Sequence, residues 1–153
     1  MRVLQVMAGA EFGGAEAFFV RLVLALSRAG LNQRVVIREH PARAQALKAG
    51  GIEPVELAFG GLLEWRTPGA LKKEIAAYRP DIVMTWMNRA THKCPAGDFV
   101  HVARLGGYYD LKYYRKCDHL IANTEDIRDY LVAGGWSGER AHHLPNFVAE
   151  EKA

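Results

Sequence analysis

Two stretches of this sequence hold residue types that could do chemistry. The first is the loop 8–14 (AGAEFGG) with Ala15 and Glu16 behind it. An apolar run at 3–7 precedes it. After it, Ala15, Phe18, Phe19, Leu22, Val23 and Leu26 recur at three- and four-residue steps. A strand that breaks at glycines into the first turn of a helix leaves N–H groups free at the positive end of the helix dipole, which favours an anion such as phosphate. Gly13 and Gly14 would let that anion approach the backbone, although the same pair would also serve as a plain strand-to-helix turn. Glu16 either complements the dipole of the first turn, worth ~0.3–1 kcal/mol, or lines a cleft and accepts a hydrogen bond from a ligand hydroxyl. The loop has neither the G-x-G-x-x-G spacing nor a terminal Gly-Lys-Ser/Thr, so NAD and ATP chemistry are disfavoured.

The second stretch is 104–116 (RLGGYYDLKYYRK), with Arg104, Gly106, Gly107 and Tyr108 at its head. Amphipathic aromatics mixed with cations suit sugars, anionic head groups or single-stranded nucleic acid. The absence of a nucleic-acid-binding motif argues against the last, as does a net charge of only +3. On a helix over 110–116 the tyrosines would partly cover the core, while Lys112, Arg115 and Lys116 would form one basic stripe for an anionic membrane surface. Trp86, Asn88 and Arg89 follow another apolar run and are candidates to line the cleft, Trp86 being equally suited to the core. His92-x-Cys94 and Cys117-x-His119 lack the usual zinc spacing, so no metal is expected. His142 and His143 read as surface or hinge residues.

Those stretches need a scaffold, and the chain alternates strand-like and helix-like segments. Strands are expected at 2–7, 34–38, 53–59, 81–86, 99–105, 119–123 and 141–144. Helices are expected from Gly14 to Gly30, from Pro41 to Gly50, from a Thr67 cap with Pro68 at the first position to Tyr78, and from Glu125 to Ala133 behind a Thr124 cap. The fold class is thus α/β, a Rossmann-like doubly wound and mainly parallel sheet, whose ligands bind beyond the carboxyl ends of the strands. The 153 residues, half of them hydrophobic, suit one domain with a real core. No apolar run reaches the ~18–20 residues that span a bilayer, and the N-terminus lacks a signal-peptide pattern. Cys94 and Cys117 read as free thiols of a reducing cytoplasm.

Four motifs in order carry a resemblance. The sequence Gly13-Gly14-Ala15-Glu16, the strand entry Arg79-Pro80-Asp81-Ile82-Val83, the strand Asp118-His119-Leu120-Ile121-Ala122-Asn123-Thr124 and the segment Leu144-Pro145-Asn146-Phe147-Val148 together resemble the N-terminal half of a GT-B glycosyltransferase of retaining family four. Phe147 stands where the family usually has glycine. Residues 103–107 lack the histidine that many members carry at the end of the fifth strand. His101 lies two or three residues early and is not given that role.

The resemblance implies an acceptor-side domain at 1–145 and the start of an interdomain linker at 146–153, with the C-terminal donor domain absent. The full-length enzyme would transfer a sugar, with retention, from a nucleotide-diphosphate sugar to a hydroxyl of a glycan, lipid-linked or lipopolysaccharide-type acceptor. Gly13 and Gly14 would belong to the donor-diphosphate loop. The acceptor-side candidates are Glu16, Trp86, Asn88, Arg89, Arg104, Gly106, Gly107 and Tyr108, and the anionic-surface candidates are Lys112, Arg115 and Lys116; no catalytic residue is assigned. No cofactor, metal or nucleic acid is implied. The isolated domain is expected to fold but not to turn over, in the cytoplasm or against the cytoplasmic face of the membrane. The alternative is a non-catalytic binding or scaffold subunit that pairs with a separate donor-binding chain.

Overall fold

β1 (Arg2–Met7) is buried along its length except at Arg2, as a near-continuous apolar run in the middle of a parallel sheet must be. The structure, a computed structural model, describes residues 1–9, 13–60 and 66–147. Six further strands occur among them: β2 (Asn32–Arg38), β3 (Val55–Leu57), β4 (Ile82–Trp86), β5 (Val100–Leu105), β6 (His119–Ala122) and β7 (Ala141–His143). Every pairing is parallel, in the order β3-β2-β1-β4-β5-β6-β7. The order reverses between β1 and β4, the place where open α/β sheets bind ligands beyond the strands' carboxyl ends.

The helices divide between the two faces. α1 (Gly14–Arg28) and α2 (Pro41–Ala49) cover one face, where Phe18, Phe19, Val23 and Leu47 pack against Met7, Val35, Ile37 and Trp86. α3 (Arg66–Tyr78) and α4 (Met87–Lys93) cover the other with Leu71 and Ala90 against Leu4, Val6, Val36 and Val83. α5 (Glu125–Ala133) continues that second layer, setting Ile127 and Leu131 against Ala103, Leu105, Leu120 and Ala122. The local signals match these elements. The Thr124 hydroxyl accepts the Ile127 N–H at 3.1 Å to cap α5, and Pro41 opens α2 where its missing N–H costs nothing.

The structure departs from the sequence expectations in four places. β3 is shorter than 53–59. α3 begins at Arg66, so Thr67 lies inside it, and the Thr67 hydroxyl instead accepts the N–H of Phe59 at 3.2 Å, tying the helix to the exit of β3. α4 was not anticipated; it follows Trp86 through Met87 at φ 67°.

The fourth departure is the helix over 110–116, which is replaced by a single 3₁₀ turn, Leu111–Tyr113. β5 ends at the carboxyl edge and β6 starts at the amino edge, so the connection must recross the sheet, and extended chain covers ~3.3 Å per residue where a helix covers ~1.5 Å. The basic stripe is therefore not formed. Lys112 lies 3.7 Å from Asp110, and Lys116 donates to the carbonyls of Cys94 at 2.6 Å and His92 at 3.2 Å, closing the end of α4. Arg115 instead borders a 380 Å³ cavity shared with Trp136 and Arg140, at the amino edge. Ala10 to Phe12 of the glycine loop and 148–153 of the expected linker lie outside the described residues.

Candidate functional site

The carboxyl ends of β1, β4 and β5 carry Gly13, Gly14, Glu16, Asn88, Arg89 and Arg104, whereas Arg115 lies at the amino edge. β1 leaves the sheet through Gly9, whose φ of 60° is a left-handed conformation that glycine adopts without cost. The N-cap of α1 is Gly13, which has no side chain to cap the helix, and Glu16 is the acidic residue of its first turn. Gly13 is in extended conformation, and a Cβ there would run into the Glu16 carboxylate. A Cβ on Gly14 would meet nothing within 4 Å. Glu16 is buried, folded back over Gly13.

A 200 Å³ cavity opens at this corner between Gly13, Glu16, Ala17, His40 and Arg43. His40 caps α2, its Nδ1 accepting the Arg43 N–H at 2.9 Å. The Arg43 guanidinium is buried, and burial pulls its pKa down while the Glu16 charge opposes the shift. Thus the N-termini of α1 and α2 converge on one cavity lined by a carboxyl and a guanidinium side chain. Sequence reading missed His40 and Arg43, because they follow the second strand rather than a glycine loop. The histidine and proline that open a helix were the signal available.

Arg104, at the end of β5, is almost wholly buried. Its guanidinium lies 4.7 Å from the ring centre of Phe18 and 5.4 Å from that of Trp86. One nitrogen donates to the Leu144 carbonyl at 3.0 Å and to Oδ1 of Asn146, while Nη1 is buried without a partner. Burial lowers its pKa to about 10, which leaves it charged at neutral pH. Phe147 completes the contact, its ring edge-on to Phe18 at 5.0 Å, with its carbonyl accepting from Arg21 at 3.2 Å. The segment 144–147 is thereby strapped from β7 back to α1.

On the α4 side, Asn88 and Arg89 border a 230 Å³ cavity with His92, Lys93 and Tyr113. Arg89 donates to the Phe59 carbonyl at 3.1 Å. The Oδ1 atoms of Asn88 and Asn123 are buried without partners. Gly106 faces Asn123, Gly107 faces the Tyr109 ring, and the exposed Tyr108 ring stands edge-on to Tyr130 at 5.4 Å. Trp86 belongs to the core, its indole N–H donating to Gln5 Oε1 at 2.9 Å.

A family model, that of Glycosyltransferase Family 4, matches residues 12–152. The chain belongs to Glycosyltransferase Family 4. Two similar curated proteins of Rhizobium meliloti are lipopolysaccharide core biosynthesis glycosyltransferases: LpsD, 34% identical over 89% of this chain and 40% of its own length, and LpsE, 37% identical over 83% and 38%. This chain thus spans about two fifths of the length of these relatives. Solved structures of like fold include the lipopolysaccharide outer core galactosyltransferase WaaB (TM-score 0.71, 18% identity, 97% of this chain and 46% of that one). Others are Anabaena HepE in complex with UDP (0.69, 15%, 95% and 44%) and the Neisseria meningitidis UDP-GlcNAc 2-epimerase bound to UDP-GlcNAc (0.71, 17%, 95% and 47%).

In this family-4 domain His101 is part of the interior. Its Nε2 lies 2.8 Å from the Thr85 hydroxyl, which in turn lies 2.9 Å from that of Thr91. Burial first, and Lys116 second, lower its pKa to about 4, against the pull of Asp118. His101 is a neutral imidazole buried in the sheet, joined through Thr85 to Thr91 of α4. Burial also pushes the Cys94 and Cys117 thiols up to about 12, as expected of inert interior cysteines. No helix is long and apolar enough to cross a membrane among the described residues.

Proposed function

We propose that this chain is the acceptor-side domain of a retaining glycosyltransferase that moves a sugar from a nucleotide-diphosphate donor to a hydroxyl of a lipopolysaccharide-type acceptor. The observation that carries the reading is the N-terminus of α1, opened by Gly13 and Gly14 at the sheet's switch point, beside a cavity holding Glu16 and Arg43. The lipopolysaccharide core biosynthesis role of the two Rhizobium relatives supports the acceptor class, and the UDP ligands of HepE and the epimerase support the donor class.

On this reading the first-turn N–H groups of α1 receive part of the donor diphosphate, where the helix dipole favours its charge. Glu16 accepts a hydrogen bond from a sugar hydroxyl. The unpartnered Oδ1 atoms of Asn88 and Asn123 offer further acceptors towards the same edge, since buried polar atoms without partners are costly unless something completes them.

The test uses Gly14→Val. The open space around Gly14 means that the fold should survive, while the new side chain stands between the backbone and a phosphate. In an NMR titration with UDP, the amide signals of residues 13–16 should shift in the wild-type chain, and the variant should lose that response. In the enzyme at the length of its relatives, Gly14→Val should also slow transfer from UDP-sugars to truncated lipopolysaccharide. A folded variant with an unchanged UDP response and unchanged transfer would reduce Gly13 and Gly14 to a turn.

A further inference from the structure

His119 on β6 and His142 on β7 are brought together by the sheet register. Ile121 pairs with His142, and His119 precedes Ile121 by two residues, so the two histidines are diagonal neighbours on one face. Their facing nitrogens, Nδ1 of His119 and Nε2 of His142, lie 3.0 Å apart. That face is opposite the one packed by α5, and α1 and α2 pack farther along the sheet. His142 is exposed and His119 half-buried, so the rings have room to turn.

Two imidazole nitrogens bound to one ion at about 2.0–2.1 Å must lie some 2.9 Å apart for a right angle at the metal and ~3.3 Å for a tetrahedral one. The observed separation corresponds to an angle of about 94° at those bond lengths. Swinging each ring by about 40° would aim both lone pairs at a common point instead of along the line between them, with the ion replacing the shared proton. Affinity of a nitrogen-donor site rises from Ni(II) to Cu(II) and falls again at Zn(II), and tetragonal nitrogen coordination is the preference of Cu(II) and Ni(II), so Cu(II) is the ion this pair should hold best.

The geometry points to a chelating site for a tetragonal divalent transition ion, Cu(II) foremost, formed by His119 and His142, with water completing the shell. No cluster of three or more His, Cys, Asp or Glu side chains able to hold a metal occurs among the described residues, so the site is a two-imidazole one. A bound ion would clasp β7, only three residues long, to β6 just before the chain turns into the 144–147 strap. Cysteine does not compete for the ion, since Cys94 and Cys117 are both buried.

The experiment is calorimetric titration of the chain with Cu(II), Ni(II) and Zn(II), with Mg(II) as the hard-cation control. It compares the wild type with His119→Asn, His142→Gln and, as a control on the opposite side of β7, His143→Gln. Asn and Gln place an amide where each facing nitrogen stands, which keeps the contact between strands. The wild type and His143→Gln should bind one Cu(II) saturably, Ni(II) next and Mg(II) not at all. His119→Asn and His142→Gln should each bind Cu(II) roughly 10²-fold more weakly, the lower end of what a second tethered ligand adds. Affinity unchanged in either single variant, an equal loss in His143→Gln, or no saturable binding by the wild type would each overturn the site.

Discussion

If His101 is a sealed interior imidazole, it must make the fold acid-sensitive in a window set by its own titration. Its pKa is about 4 in the folded chain against an ordinary 6.5. As pH falls below 6.5 the unfolded chain takes up a proton there and the folded chain does not, so stability is complete above that value and declines towards pH 4. The slope is about 1.4 kcal/mol per pH unit, which integrates to about 2 kcal/mol between pH 7.5 and 5. Stopping at pH 5 avoids most of the carboxylate titration.

His101→Gln removes the titration while keeping a side-chain amide in reach of Thr85. Urea unfolding of both proteins at pH 7.5 and 5 gives four stabilities. The wild type should lose about 2 kcal/mol more than the variant between the two pH values, whatever the variant loses at both. Parallel losses in the two proteins would refute the sealed imidazole. They would mean that His101 titrates like an exposed histidine and has access to solvent or ligand.

Two further outcomes follow from the same edge of the sheet. Arg104→Leu should release the strap at 144–147. Hydrogen bonds from a charged donor are worth ~1.5–3 kcal/mol, so chymotryptic cleavage after Phe147 should speed up roughly ten- to hundredfold while far-UV circular dichroism is unchanged; an unchanged cleavage rate would show that Arg104 does not hold the strap. Gly9→Ala places a side chain in left-handed backbone with its Cβ 3.0 Å from Glu16 Cγ, and should cost ~1–2 kcal/mol in urea unfolding, a loss whose absence would show that the loop relaxes freely.

The sheet and four of its five helices were legible because each rests on a local signal, α4 being the exception. β1 and β4 are short apolar runs bounded by breakers, Thr124 caps α5, and Pro41 opens α2. What escaped was whatever depends on distant parts of the chain. The basic stripe failed because Lys112, Arg115 and Lys116 were placed on a helix that the need to recross the sheet forbids. Arg104 was singled out for its charge, yet nothing in RLGG says that its partners are Leu144 and Asn146, some forty residues on. His40 and Arg43 reach the Glu16 cavity only because β1 and β2 lie side by side. His119 and His142 were passed over separately, since only the register of β6 on β7 makes them a pair.

The strand order also dictates how such a sheet can be assembled as the chain is synthesised. β2 and β3 add outward on one side of β1, and β4 to β7 add outward on the other, so every strand joins an open border and none must be threaded between two that are already joined. The one costly closure is the step from β3 to β4, which passes over two strands to reach the far side of β1. Before that step the nascent chain holds a three-strand ribbon with one flank of β1 unpaired. After it, growth is stepwise and local, each strand docking on the one just laid down. A ribosome pause that holds β4 back would therefore prolong the interval in which the apolar central strand is exposed to aggregation, whereas a pause later in the chain would leave only a short outer border open.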